Sequence, residues 1–550
     1  MNRLRKAGIA IGALLPLLLL LGCGGGKVTP TIVVDSVADT DSRDGVVTLR
    51  EAIVLANGGL TVADLDSAEA DNVSGQPGPD SDDVITFDGL VFAPSEPASI
   101  SLAAPLPALS TGSDTIDGSQ AGVTLDGVNQ IFECVVIASS DNALKGLQIE
   151  NCLTGVMIQP GAQRNEIGGP GPGEGNVISA NDQGILIGGA GANENVVEGS
   201  YVGTDAAGTG ALGNRLGIVI DGGAESNVVG GSSPEQRNII SGNSGVGVLI
   251  RGSRNLVKGN YIGADVTGTA SLPNRMEGIW LAPGAQNNII GGPSPGDRNL
   301  LSGNALFGLS MSGDGTTGNV VIGNYIGVNA MGTAPLKNLV GVAIENGAQG
   351  NRIGGTGAGE GNLISANNDA GLTMRGPDAT GNAVLGNRIG LDAAGSQLLA
   401  NAYGVWIREG AHTNTIGGPA ASEGNVIAGS LVYGVLVEGA QTVGNTVRGN
   451  SIHSNKKGAI DNKDGGNAEL APPTITSAGP VEGSACPNCT VDIYSDSRGE
   501  GQVYEGSAVA DADGRFSFAD SLSGPNITAT ATDVAGNTSA FSQPVRKPAG

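Results

Sequence analysis

Asn319-Val-Val-Ile-Gly-Asn-Tyr-Ile-Gly327 and, one unit further on, Asn351-Arg-Ile-Gly-Gly355 are two forms of one phrase. The phrase reads asparagine, any residue, an aliphatic residue, any residue, glycine. It starts again at Asn165, Asn195, Asn227, Asn255, Asn288, Asn382, Asn414 and Asn445, with 28 to 33 residues between successive starts. The forms alternate: one carries Gly-Asn-Tyr-Ile-Gly, the other Ile/Val-Gly-Gly. The larger repeat is therefore two units long. A fixed period of this length is the mark of a solenoid.

Each unit holds a second phrase, as in Gly247-Val-Leu-Ile-Arg251, Gly341-Val-Ala-Ile-Glu345 and Gly434-Val-Leu-Val-Glu438. These apolar runs are too short for helices, rich in β-branched residues and bounded by Gly and Asn, so they read as strands. A single unit cannot bury an apolar face. Stacked units can, each strand pairing with its copy ~4.8 Å along the axis. Parallel crossovers are overwhelmingly right-handed. The expected fold is all-β, a right-handed parallel β-helix over residues 83–470. Asparagine suits its corners, because it tolerates the left-handed conformation and its amides can bond coil to coil. Over residues 83–464 the sequence resembles the pectate-lyase-like superfamily of β-helix repeat proteins.

The flanks differ in texture. Residues 1–23 resemble a bacterial lipoprotein signal: Arg3, Arg5 and Lys6, an apolar run, then Leu20-Leu21-Gly22-Cys23, with Cys23 as the lipidated residue. The resemblance implies an exported protein held on a membrane by its lipid, in the outer membrane or at the cell surface. Residues 24–30 read as a flexible tether. Residues 31–82 form a capping segment and loop. There Thr48-Leu-Arg-Glu51 is a capping box, and Leu49, Ala52, Ile53 and Ala56 share one helix face. This resembles the Cys-Ser-Leu-Arg-Glu-Ala entry segment of bacterial surface β-helices, with Val47 and Thr48 in place of Cys and Ser. Residues 60–82 are polar and read as a long surface loop or a disordered insertion. After Pro472-Pro473 the pattern alternates at period two, and residues 472–545 read as a small immunoglobulin-like β-sandwich that covers the last coil or spaces the protein from a partner.

The formal charge of −25 argues against nucleic acid and anionic lipid as partners. It also disfavours a polyanion such as pectate unless a cation bridges the two. Catalytic signals are sparse. Two histidines, His412 and His453, are present, and no Gly-x-Ser-x-Gly elbow occurs. The Asp clusters and the Gly-His-Gly and Arg-Ile-Lys motifs of polygalacturonase-like enzymes are missing. Calcium enters as a cofactor first through a recurring turn at Asp205, Asp265, Asn329 and Asp392. Those residues read first as Asx-type turn formers and second as metal ligands. Asp39, Asp41 and Asp44 offer an acidic turn or a calcium loop. Cys486-Pro-Asn-Cys489 reads as a structural disulfide before a redox pair or zinc half-site. Cys134 and Cys152 form a pair or stay thiols.

One ligand face stands out. Trp280 and Trp406, the two tryptophans of the chain, share the first outward position of the strand phrase. They are four coils apart, ~19 Å, with Ser310, Ala343 and Thr373 between them and Glu345, Arg375 and Arg408 alongside. An aromatic platform at each end of a small-residue trough suits a short sugar chain. The expectation is a non-catalytic, adhesive or glycan-binding surface protein whose partner is an extracellular or cell-wall polysaccharide. The alternative is a polysaccharide lyase or glycoside hydrolase.

Overall fold

The computed structural model describes residues 29–129 and 132–547. Cys23 and the signal segment lie outside them. Among the described residues, three long sheets of 15, 13 and 12 strands run side by side. Each coil gives one strand to each sheet in turn. One coil contributes Glu166–Gly168, Val177–Ser179 and Gln183–Gly188; the next contributes Val196–Glu198, Tyr201–Val202 and Leu216–Asp221. Pairing between coils is parallel and in register, for example Ile167 with Val197, Val229, Val257 and Ile290 in succession. Such a stack of coils is a parallel β-helix.

The interior is made of aliphatic columns. Leu309, Val342, Leu372 and Val405 form one, and Met311, Ile344, Met374 and Ile407 another, all fully buried. Burying each such side chain contributes ~1.5–3 kcal/mol. The glycine that opens the strand phrase is a steric requirement. A Cβ on Gly341 would stand 2.4 Å from the Gly371 carbonyl and 2.8 Å from Ile364 Cγ2.

Asparagine ladders hold the corners. Along the first, each side-chain amide donates to the next asparagine's Oδ1, as from Asn319 to Asn351 (2.9 Å) and from Asn351 to Asn382 (3.1 Å). The backbone N–H of each rung donates to the same oxygen. Two further ladders, not picked out in the sequence, occupy the other corners. One runs through Asn238, Asn260, Asn299, Asn324, Asn362, Asn387, Asn425 and Asn450. The other runs through Asn181, Asn214, Asn243, Asn274, Asn304, Asn338, Asn367 and Asn401. These amides are buried, and each finds the partners that burial demands. At the N-terminal end of the first ladder, Asp83 and Asp114 stand where later coils have asparagine.

The alternation of units has a structural cause. In one type the corner between the first and second sheets carries a long loop, as in residues 291–299. In the other, the corner between the second and third sheets carries a small hairpin, as in residues 263–274, closed by a bridge between Ala264 and Ser271. The hairpins stack on one another at two-coil spacing through Val266 N–H to Gly208 O, Ala330 N–H to Gly268 O and Ala393 N–H to Gly332 O.

Both ends of the described solenoid are covered. Helix Leu49–Ala56 carries the capping box, with Thr48 and Glu51 satisfying each other's amides. Its apolar face packs into the main core. Residues 60–82, expected as a loop or disordered insertion, are instead ordered. Helix Ser67–Asp71 is capped by Asp66, and buried Glu69 accepts the N–H groups of Asp44 and Gly45. Strand Val73–Ser74 then pairs antiparallel with Thr31–Val34 and covers that sheet edge.

At the other end, antiparallel sheets of three and four strands share one apolar core around Val491, Ile493, Phe516 and Ile527. They close the last coil. Asn537 Oδ1 accepts the Gly444 N–H, Thr538 Oγ1 accepts the Val447 N–H, and the Tyr494 hydroxyl accepts the Gly449 N–H. Arg448 makes a two-pronged bond to buried Asp492 at 2.9 and 2.6 Å. Disulfides join Cys134 to Cys152 and Cys486 to Cys489. No helix among the described residues is long and apolar enough to cross a membrane.

Candidate functional site

Trp280, Ser310, Ala343, Thr373 and Trp406 lie in one register on the outer face of the third sheet. They do not form the open trough expected of them. Ser310, Ala343 and Thr373 are at most 2% exposed. Trp280 packs on outward Leu249 and its neighbours and donates its indole N–H to Ser312 (2.8 Å). Both faces of Trp406 are taken. Tyr403 stacks on it at 4.5 Å, and the Arg408 guanidinium lies 3.7 Å from its ring centre. The other charged candidates neutralise each other, with Arg375 Nε 2.5 Å from Glu345 Oε1. A column packed in this way leaves little for a sugar to displace cheaply, although buried Arg408 Nε has no hydrogen-bond partner.

The recurring turn residues are also engaged locally. Asp205 accepts the Thr209 N–H, Asp265 those of Thr269 and Ala270, Asn329 that of Thr333, and Asp392 those of Ser396 and Gln397. The amides of Gly210 and Thr209 hold Asp205 below the usual carboxylate range, and those of Gln397 and Ser396 do the same for Asp392. Among the described residues, no group of three or more His, Cys, Asp or Glu is placed to hold a metal ion. The acids of the entry segment are engaged instead: Arg50 bridges to Asp39 at 2.8 Å, Arg43 bonds Asp41, and Asp44 accepts the Ser42 hydroxyl at 2.8 Å.

The second sheet offers a different surface. Its outward column is Tyr201, Ile239, Tyr261, Leu300, Tyr325, Leu363, Arg388 and Val426, each in register with the next. Long loops rise along one edge and stacked hairpins along the other, both repeating every second coil. Between them the column floors a groove that is filled over much of its length, Ile239 and Leu300 being at most 3% exposed, and that opens in one stretch. A cavity of about 640 Å³ lies in it, over Tyr325, Leu363 and Val426, walled by residues 355–359, by Gly361 and by Ser422, Gly424 and Ala393. Arg298 and Arg388 line it, and no aspartate or glutamate does. A second cavity, about 510 Å³ beside the first sheet, mixes Arg164 and Lys258 with Glu166, Glu194 and Glu198. The sequence reading missed the groove because its floor is assembled from two-residue strands of successive coils, whose residues are far apart in the chain.

One acid on the third sheet also stands out. Glu277, 9% exposed, precedes the Trp280 strand, and its Oε2 has no hydrogen-bond partner. Burial lifts it above the usual carboxylate range, and the nearby Glu345 charge adds to the effect.

No protein-family model and no curated protein matches this chain. Among solved structures, it is similar to the enzymatically active domain of tailspike protein 2 from bacteriophage CBA120, with 10% identity and a TM-score of 0.32 over 86% of this chain and 67% of that one. It is also similar to alginate lyase AlyF-OU02, with 13% identity and a TM-score of 0.29 over 71% and 82%. A tailspike mutant of Escherichia coli bacteriophage HK620 gives 11% identity and a TM-score of 0.27 over 82% and 72%. Likeness at this level is too slight to transfer a site or an activity.

Proposed function

We propose that this protein is an exported, lipid-anchored surface β-helix that holds an extended glycan along its second sheet without cleaving it. The observation that carries the reading is the groove: an in-register floor walled on both sides by stacked loops, with a cavity large enough for sugar rings. Its open stretch runs over Tyr325, Leu363, Arg388 and Val426, one residue from each of four successive coils, so a linear polymer lying along the axis would meet several coils there. The handedness is the right-handed one general to parallel crossovers. The terminal sandwich, immunoglobulin-like in its two antiparallel sheets, closes the solenoid and spaces it from its surroundings. Cys23 carries the lipid, and a Cys23→Ser variant would leave the membrane fraction or stay unprocessed.

Binding and turnover measured over one panel of polysaccharides test the central claim. The expected result is binding without release of reducing ends or unsaturated uronides. Robust turnover would overturn it. One observation favours that second reading, a lyase or hydrolase: Glu277 is a buried carboxyl with one oxygen unpartnered, and burial raises it above the usual carboxylate range, the direction a general acid needs. If turnover is seen and Glu277→Gln abolishes it, the enzyme reading replaces the binding one.

A further inference from the structure

Not every double coil fills the groove: the residue before the second-sheet asparagine is Arg237 or Arg298 in two of them and Gly175, Gly361 or Gly424 in the others. In the two with arginine, that side chain of the long loop lies flat over a tyrosine of the floor. Arg237 is 4.1 Å from the centre of Tyr261, and Arg298 is 3.9 Å from that of Tyr325. Each arginine directly precedes a ladder asparagine, and each tyrosine directly follows one. One double coil further on, the same two places hold Gly361 and Arg388. The loop has lost its arginine, and the floor has exchanged tyrosine for arginine. The space so opened is the 640 Å³ cavity.

We infer that this cavity is a subsite for an anionic group of the bound glycan, a uronate carboxylate or a sulfate ester. The inference rests on the glycan-groove reading above. Its footing is local charge. The chain carries a formal −25, yet the cavity is lined by two guanidinium groups and no carboxylate. Neither arginine makes an ion pair among the described residues. Arg298 donates Nε to the Gly323 carbonyl at 3.3 Å, and Arg388 donates Nη1 to the Ala393 carbonyl. Those neutral bonds aim each side chain and leave other guanidinium N–H groups to a ligand. Glu360, the acid of the adjoining loop, is bonded to Arg352 at 3.0 Å. Guanidinium is the side chain best suited to planar, two-pronged recognition of carboxylate or sulfate-like oxygens.

The geometry adds a length. Tyr325, under Arg298, and Arg388 are two strands apart, ~9.6 Å. Two sugar residues of an extended chain cover a similar distance, so the arginines match charges borne on alternate residues. The protein's negative surface, which repels a polyanion elsewhere, is locally inverted here.

The test measures affinity of the full chain for a linear oligo-uronate, its methyl ester and a sulfated oligosaccharide of equal length, at low and high salt. The expected result is at least tenfold tighter binding of one or both charged probes than of the ester, with the preference weakened by salt. Which charged probe is preferred identifies the anion. Arg388→Tyr installs the residue the groove already carries at Tyr261 and Tyr325, so the fold is kept. It should bring the charged probe's affinity down to that of the ester measured on the same variant. Arg298→Gln should do the same in part. Equal binding of charged and esterified probes by the native protein overturns the subsite and leaves the groove reading standing. A charge preference that survives both variants also overturns the subsite. Failure of every glycan to bind overturns both.

Discussion

Replacing Asp114 by asparagine should strengthen the N-terminal coils, and by an amount that depends on pH. Asp114 is a rung of the first ladder. Its Oδ1 faces the Asp83 N–H at 3.4 Å, and its own N–H donates to Asn142 Oδ1 at 3.2 Å. Its Oδ2 lies 3.0 Å from the hydroxyl of Thr111, three residues back. Asn142 places its Nδ2 in the corresponding spot, 3.1 Å from the hydroxyl of Ser139, and from there donates to Asn165. A carboxylate oxygen in that spot cannot donate onward. Burial pushes the Asp114 carboxyl from 3.8 up to about 7; the Thr111 bond opposes this, and the nearby Asp83 charge adds to it. The folded state therefore binds a proton that the unfolded chain has released between those two values. The Asp114 contribution to stability is greatest below pH ~4, falls as pH rises toward ~7 and is lost above it. About three pH units correspond to a ceiling of ~4 kcal/mol, and relaxation makes ~2 kcal/mol a fairer figure. Asp114→Asn removes that loss and restores the onward bond. Hydrogen exchange of strands Val84–Phe87 and Thr115–Asp117 should show the gain at pH 8 and nearly none at pH 4. An equal gain at both values, or a loss at pH 8, refutes the assignment of the proton to Asp114.

Three further outcomes follow from contacts described above. Ile344→Ala, deep in the interior column, should cost ~2–5 kcal/mol; exchange should rise first in the coils on either side, because solenoid contacts are between neighbours. The double change Trp280→Ser and Trp406→Ser should lower the unfolding temperature and leave glycan affinity unchanged, since both rings are engaged within the protein; a large loss of affinity in a folded variant would restore the tryptophan trough. Arg448→Met should leave buried Asp492 unpaired, cost ~3–5 kcal/mol and expose the junction near Gly444 to protease, whereas a resistant junction would show that the backbone bonds alone hold the sandwich in place.

The solenoid could be read from sequence because its rules repeat. The Asn319 type of rung recurs at one spacing, and the strand phrase keeps its aliphatic parity, so period, corner and inward face follow together. The other two ladders were harder to see. Their asparagines flank two-residue strands such as Tyr261–Ile262, too short to show a period of their own. The ordered stretch at 60–82 carried a signal in Asp66 and Glu69, which form a second capping box, but its polar composition masked it. The tryptophans were placed in the right column, yet what covers a ring is decided by rotamers and by neighbours one coil away. The Arg388 exception was in plain view as Gly-Asn-Arg-Ile-Gly among copies of Gly-Asn-Tyr-Ile-Gly. Its meaning needed the other half, Gly361, 27 positions earlier.

Three asparagines per coil also divide the chain into three independently closed circuits. A segment that begins and ends on a rung can change length without shifting the register of its neighbours, because the rungs, not the segment, meet the next coil. The short corner between the third and first sheets varies little in length, while the corners flanking the second sheet hold everything from a single turn to a hairpin. Variation is thus steered to the two rims of the groove and away from the interior columns. Such a scaffold can change the height and chemistry of its rims one double coil at a time, and retain the same floor.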